Sequence, residues 1–249
     1  MDLSKAVPAQ SQSVIPNRSD EIVTLLKRKI TFQEYLPGDV LPNEELLAQV
    51  YSVSRASIRE ALGILKAQGY LESRRGKNGG TFVKNILESE KIDNLYSDLV
   101  LMGQMKIEDL LSARLLIEPE AARAAAIRAT HDELEKLAEY HNLAAQAKTL
   151  DERIQAHIKF HNAIGEMSGN PFYAISIRSF MKFTYMFLKV VGDKFSHVHE
   201  DRDHNNILQA LRSRKPQLAY ETMYVHGSST KSSMMVLEQM FREIRMNQK

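Results

Sequence analysis

The 249-residue chain contains no cysteine and no tryptophan. The absence of cysteine excludes disulfide bonds, thiolate metal sites and cysteine nucleophiles, so any bound metal must use His, Asp or Glu ligands. The chain also lacks a run of about 18 apolar residues, which a membrane helix needs, and its first residues lack the apolar block of a secretory signal. We therefore expect a cytoplasmic protein that has no membrane partner.

The composition is that of an ordinary globular protein. Apolar residues make up 43% and charged residues 26% of the chain, and the mean hydropathy is -0.33. This is too apolar for a wholly disordered chain. The length allows one large domain or two of ordinary size.

The net charge of +2 is unevenly distributed along the chain. Seven basic residues face only two acidic ones between Arg55 and Lys84. Such a basic stretch favours a polyanionic partner. On charge alone, a solvated helix face followed by a charged loop explains it equally well.

The first 85 residues predict a short tail followed by a compact helical unit. Residues 1–18 are polar and are predicted to form a disordered tail. Apolar residues at helical spacing then predict a helix that is capped by Ser19 and ends near Gln33. A turn follows, and residues 42–45 open a second helix. We expect three of its apolar side chains to face the core: Leu46, Leu47 and Val50.

The next elements predict a winged helix-turn-helix over residues 19–85. Ser54 can cap a third helix from Arg55 to about Gln68, which Gly69 ends. Since only a few residues separate it from the second helix, the two form a helix-turn-helix. Two short strands, 70–73 and 81–83, enclose a basic glycine-rich loop and predict a wing.

From residue 86 to residue 249 the hydrophobic period is helical, and no segment predicts a strand. Seven helices are predicted, at about 90–103, 106–129, 131–148, 151–167, 171–192, 200–213 and 216–245. We expect Pro119 to kink its helix or to begin a new one. The fold class is therefore mainly α: a winged helix-turn-helix with a β-hairpin wing, followed by an all-α bundle that can hold a ligand between its helices.

Several sequence blocks resemble known families. The segments 36–44, 53–62, 69–71 and 75–83 resemble the winged helix-turn-helix of the GntR family of bacterial transcription regulators. The later segments 114–122, 160–164, 168–171 and 204–211, together with His226, are similar to the FCD effector domain of the FadR-type branch. The resemblance implies a homodimeric regulator, expected to be a repressor, that binds a short inverted-repeat operator in double-stranded DNA.

A recognition helix enters the major groove with its first two turns, which carry Arg55, Ser57 and Arg59 in this chain. An arginine can donate two hydrogen bonds to guanine, and the resemblance implies this use of Arg55 and Arg59. The alternative is that both arginines only solubilise the helix. The resemblance places a second set of residues at the minor groove: Arg75, Gly76 and Lys77. Glu45 replaces an arginine that is frequent in the family, so one expected DNA contact is absent or redirected.

Four histidines suggest a metal site. His157 and His161 are four residues apart on a predicted helix and so share one face. His204 and His226 fall on either side of a predicted helix break. The resemblance implies that these four bind a divalent metal, with His157 in place of the family's aspartate, which favours Zn, Ni or Cu over harder ions. The alternative is a cavity of hydrogen-bonded histidines without metal.

Residue types argue against an enzyme. Ile158 stands between the paired histidines where a zinc protease has its general-base glutamate. We find no phosphate-binding loop and no nucleophile elbow.

The resemblance further implies that a small carboxylate binds beside the metal. Three residues are candidates for binding this effector: Arg114, Arg178 and Asn170. Arg114 is equally suited to an ion pair with Glu118 one turn later. The main alternative for the whole chain is a helical metal- or small-molecule-binding protein whose winged domain docks protein rather than DNA.

Overall fold

The computed structural model describes residues 18–76, 79–85, 91–192 and 201–246. The chain divides into two compact units, Met1–Glu88 and Ser89–Lys249. Most of the predicted tail and the segment 86–90 lie outside the described residues. No helix in the described ranges is both long enough and apolar enough to span a membrane.

The first unit is a winged helix-turn-helix, as the sequence predicts. Its elements in chain order are α1 (Arg18–Thr31), α2 (Glu44–Tyr51), α3 (Arg55–Gln68), β1 (Leu71–Arg74) and β2 (Gly80–Val83). The two strands pair antiparallel, with Leu71 opposite Val83 and Arg74 opposite Gly80. They form the hairpin of the wing.

Side-chain caps set the bounds of α2 and α3. The Asn43 side chain accepts a hydrogen bond from the Leu46 amide, and the Ser54 hydroxyl accepts one from the Ser57 amide at 3.0 Å. Gly69 ends α3 in the left-handed region, at φ 85°. Ser19 does not act as the expected cap, because α1 already includes Arg18 and Ser19 is buried inside the helix.

Helix α2 meets the core of its unit over a narrow strip. Leu47 is buried, with Ala48 and Tyr51 partly buried beside it. The expectation that Leu46 and Val50 face inward is wrong, since they are 47% and 65% exposed. An eight-residue helix that packs through positions i, i+1 and i+4 leaves its neighbouring stripe in solvent.

The second unit is an all-α bundle. Its helices are α4 (Lys91–Leu101), α5 (Ile107–Arg128), α6 (His131–Ala145), α7 (Leu150–Met167), α8 (Pro171–Val191), α9 (Asp201–Arg212) and α10 (Pro216–Met246). All seven predicted helices are present in the predicted order. Helix α7 packs against α5, α6 and α8, and α10 packs along α5 and α9. These contacts bring α5, α7, α9 and α10 to a common centre.

Helix α5 runs through Pro119 without a break, so the prediction of a new helix at this proline is wrong. Pro119 is buried, and the following turns present Ala121, Ala122 and Ala125 to the core. Phenylalanine side chains of α7, α8 and α10 also lie in the core of the bundle. The rings of Phe187 on α8 and Phe241 on α10 stack with their centroids 4.8 Å apart.

Candidate functional site

The start of α3 presents the predicted DNA-reading side chains. Arg55 and Arg59 are exposed and stand one turn apart, whereas Ser57 is half-buried. The Ser57 hydroxyl lies 2.9 Å from that of the capping Ser54. The Arg59 guanidinium pairs with Glu44 at the start of α2, with Nη2 2.8 Å from Oε2. The two arginines therefore differ, because the structure holds Arg59 in place from the neighbouring helix.

The described part of the wing tip is exposed. Arg75 and Gly76 both face solvent, and Gly76 adopts φ 108°, which favours glycine. Lys77, predicted beside them, lies outside the described residues. Arg74 has a different role, since its guanidinium pairs with Glu72 at 2.7 Å and lies 4.4 Å from the Phe82 ring centre. These two contacts of Arg74 therefore stabilise the hairpin.

The centre of the helical bundle holds a cluster of buried histidines. His161 on α7, His204 on α9 and His226 on α10 each offer one nitrogen, and these nitrogens lie within 4.8 Å of one another. All three side chains are almost fully buried. Three imidazoles at this separation match the donor set of a zinc or similar site. Three of the four predicted ligands therefore come together.

His157 is the exception among the four. It is buried one turn before His161, and its ring stacks on that of His204 with centroids 4.1 Å apart and planes 12° apart. Its nitrogen does not belong to the three-nitrogen group. When two imidazole rings stack in parallel, their nitrogen lone pairs lie in parallel planes. They therefore do not point towards a common metal ion.

Two carboxylates lie behind the histidine cluster. Glu118 Oε2 is 3.5 Å from His161 Nδ1, and Asp203 Oδ2 is 3.9 Å from His226 Nδ1. A carboxylate on this side favours the proton on Nδ1 and leaves the Nε2 lone pair for a metal. The sequence named Glu118 only as a partner of Arg114 and missed Asp203. Asp203 directly precedes His204 in the sequence, and this position beside a candidate ligand was the feature that could have identified it.

Arg114 and Glu118 form a buried ion pair on α5. Arg114 Nε lies 3.0 Å from Glu118 Oε2, and the side chains are only 3% and 2% exposed. Burial alone would raise the pKa of Glu118, but the charge of Arg114 and the nearby His161 lower it to about 2. Arg114 was expected either to bind the effector or to pair with Glu118. The structure contains the ion pair with Glu118.

A small cavity of about 20 Å³ adjoins the cluster. Six of its lining residues are Arg114, His157, His161, Met181, Thr184 and Leu188. This volume is comparable to the space one water molecule needs, so a carboxylate metabolite requires the lining side chains to move. Arg178 and Asn170 are not among the lining residues. The Asn170 side chain instead caps α8, accepting a hydrogen bond from the Phe172 amide at 3.0 Å.

Burial also sets the protonation of His226. It lowers the pKa of His226 to about 4, and the nearby His161 and Arg114 act in the same direction. His226 is therefore neutral near pH 7, which is the form that binds a metal. The three buried donors and the two carboxylates behind them fit a transition metal.

Comparison with known proteins gives two family matches. Residues 18–83 match the family of bacterial regulatory proteins called gntR, and residues 109–229 match the FCD domain. A regulatory protein of Escherichia coli (strain K12), named for the L-lactate dehydrogenase operon, is 32% identical over 89% of this chain and 88% of its own. The transcriptional repressor NanR of Salmonella newport (strain SL254) is 25% identical over 91% and 89% of the two chains.

A solved structure agrees with these matches. Streptococcus agalactiae GntR superposes with a TM-score of 0.65 and 26% identity, covering 86% of this chain and 99% of its own. These relatives are regulators of transcription and not enzymes, in agreement with the sequence-based expectation.

The low pKa of His226 predicts a pH dependence of stability in metal-free protein. The folded pKa of about 4 lies below the unfolded value of about 6.5. The unfolded chain therefore binds the proton more readily, and stability that is present above pH 6.5 is lost as the pH falls towards 4. We expect this residue to contribute a loss of about 2 kcal/mol between pH 7 and pH 4.5.

Urea unfolding in the presence of a chelator between pH 7 and pH 4.5 measures this loss. A His226→Gln variant is the control, since it removes the titrating group. Equal slopes of unfolding free energy against pH in the two proteins would contradict the assignment.

Proposed function

The chain belongs to the gntR family of bacterial regulatory proteins and carries an FCD domain, and from this premise we propose a metal-containing, ligand-responsive repressor that acts in the cytoplasm. Membership in this family makes it a DNA-binding transcription regulator. The observation that carries the finer proposal is the group of three buried imidazoles in the effector unit. We propose that a homodimer binds a short inverted repeat, because two-fold symmetry presents two recognition helices.

In the DNA-binding unit, Arg55 and Arg59 read guanines in the major groove and Ser57 lies between them. Both arginines are exposed in the first two turns of α3, which supports this role. Arg75, Gly76 and Lys77 of the wing approach the minor groove, where exposed backbone and basic side chains permit close contact.

In the effector unit, His161, His204 and His226 bind a transition metal, of which zinc fits best. Glu118 and Asp203 support the proposal, because carboxylates behind metal-binding histidines are the usual outer contacts. We propose His157 as the fourth ligand. Its ring lies against that of His204, with the centroids 4.1 Å apart, and it must unstack from His204 to act as a ligand. Bound metal would supply a Lewis-acid centre for oxygen ligands.

The effector is a small carboxylate that binds beside the metal. Arg114 is our proposed carboxylate-binding residue, rather than Arg178 or Asn170, because it alone of the three lines the cavity at the histidines. L-lactate is the first compound to test, because one relative is named for the L-lactate dehydrogenase operon. The cavity is smaller than lactate, so binding must favour a rearranged state, which is the requirement for a ligand that shifts an equilibrium.

The DNA-reading proposal predicts the effects of substitutions on α3. Alanine at Arg55 or Arg59 should lower specific affinity by roughly 1 to 3 kcal/mol and relax the choice of bases, since each removes a bidentate contact. Lys84→Ala should instead weaken binding evenly across sequences. Gel shifts over a range of salt concentrations measure both effects, because phosphate contacts make binding strongly salt-dependent. Footprints like those of the wild type for both arginine variants would contradict the assignment.

The metal proposal predicts about one zinc or similar ion per chain in protein purified without chelator. His161→Ala, His204→Ala and His226→Ala should each abolish stoichiometric metal, because each removes one of the three histidines that already lie together. His157→Ala tests the fourth ligand and should weaken metal affinity. His131→Ala is the matched control, since His131 is exposed at the start of α6. Elemental analysis measures the metal content per chain of the wild type and of each variant. Wild-type protein without metal would refute the proposal.

The effector proposal predicts reciprocal coupling between L-lactate and operator. Lactate should weaken operator binding, and operator should weaken lactate binding by the same factor. The His204→Ala variant should fold and bind operator but lose the response to lactate. Titration calorimetry with and without operator measures the factor. Release of DNA by the variant at the wild-type lactate concentration would show that the metal site does not mediate the response.

A further inference from the structure

The ion pair between α2 and α3 has a specific geometry. Glu44 is the first residue of α2, and Arg59 lies in the second turn of α3. Arg59 Nε donates to Glu44 Oε2 at 3.2 Å, and Nη2 donates to the same oxygen at 2.8 Å. The hydrogen bond from Arg59 lowers the pKa of Glu44, which is therefore ionised at neutral pH.

The pair uses one particular edge of the guanidinium group. Nε and Nη2 form the side edge, and Glu44 takes its contacts there. Because Glu44 occupies the side edge, the end edge, formed by Nη1 and the outer hydrogen of Nη2, is left to donate two parallel hydrogen bonds to guanine O6 and N7. Contact with Glu44 and contact with guanine are therefore compatible, and the first fixes the plane in which the second must form.

We propose that Glu44 is the positioning residue that makes Arg59 selective for guanine. This inference rests on the proposed role of Arg59 as a base reader. An exposed arginine can reach many acceptors, phosphates included, whereas one held on its side edge offers a single edge in a single plane. The structure supplies this restraint from a different helix, so the orientation depends on how α2 and α3 pack together.

The charge of Glu44 adds a second consequence. A carboxylate beside the major groove repels phosphate, so it lowers affinity for DNA of any sequence. Glu44 thus strengthens the preference of Arg59 for guanine over other bases and weakens binding to non-specific DNA. Both effects raise the ratio of specific to non-specific affinity. A residue that merely joined α2 to α3 would change stability and leave the ratio of specific to non-specific affinity unaltered.

Glu45 provides a matched control. It follows Glu44 directly, carries the same charge in the first turn of α2 and is exposed. The ion pair of Arg59 is formed with Glu44. Removal of either carboxylate therefore takes one negative charge from the same turn, and only the Glu44 substitution releases the guanidinium.

The experiment begins with selection of an operator by the wild-type protein from a library of random duplexes. Fluorescence anisotropy then measures the affinities of wild type, Glu44→Ala, Glu44→Gln and Glu45→Ala. The guanine assigned to Arg59 is the one whose preference the Arg59→Ala variant loses. Three duplexes are compared: the selected operator, an operator with that guanine replaced, and a scrambled duplex. Thermal melting of each variant checks that it is folded.

We expect Glu44→Ala to reduce the ratio of specific to non-specific affinity by about tenfold and to bind the scrambled duplex more tightly than wild type. The ratio for Glu44→Gln should fall between those of wild type and Glu44→Ala, because the glutamine amide oxygen still accepts a hydrogen bond from Arg59. Glu45→Ala should also bind scrambled DNA more tightly but keep its preference for the assigned guanine.

Two results overturn the inference while leaving the proposed function intact. One is an unchanged ratio in Glu44→Ala. The other is that Glu44→Ala binds the operator more tightly than wild type and keeps its preference for the guanine. In that case the ion pair with Glu44 would compete with DNA for Arg59. A wild-type protein that selects no sequence would instead refute base reading itself, and the inference would fall with it.

Discussion

The buried charge of Glu118 is the constraint on which the effector unit depends. Removing a carboxylate and a guanidinium from water costs several kcal/mol for each ion, and only close contacts between opposite charges and polar groups offset that cost. Glu118 meets Arg114 on its own helix and His161 on α7. Its position therefore fixes both the arginine that borders the cavity and the side of the imidazole that faces the cluster. Loss of Arg114 would leave the buried charge of Glu118 without its charged partner.

The same constraint explains how a ligand could be sensed so deep in the bundle. The cavity beside the histidines holds little more than a water molecule, and Arg114 is already paired. A carboxylate that enters must compete with Glu118 for the guanidinium and displace apolar side chains of α8. Under our proposal such binding would favour a rearranged state of the unit, because only a ligand that binds two states unequally can shift their populations.

In both units a carboxylate contacts a group to which we assign a binding role. In the effector unit Glu118 and Asp203 face Nδ1 of two histidines, and at the DNA-reading surface Glu44 faces one edge of Arg59. The settings differ in exposure. A buried carboxylate is part of the stability of the core, whereas a surface ion pair contributes little to stability and is free to serve specificity.

The sequence by itself determined the local structure and the family, and it named the three histidines that lie together in the bundle. Apolar periodicity, caps such as Ser54 and the stop at Gly69 depend on neighbours a few residues away, so the helices and the wing were predictable. Tertiary structure decided that Leu46 and Val50 face solvent, that His157 stacks on His204 and that Asp203 stands behind His226. It also decided the cavity size. Each depends on how helices distant in sequence pack together, which no local pattern records.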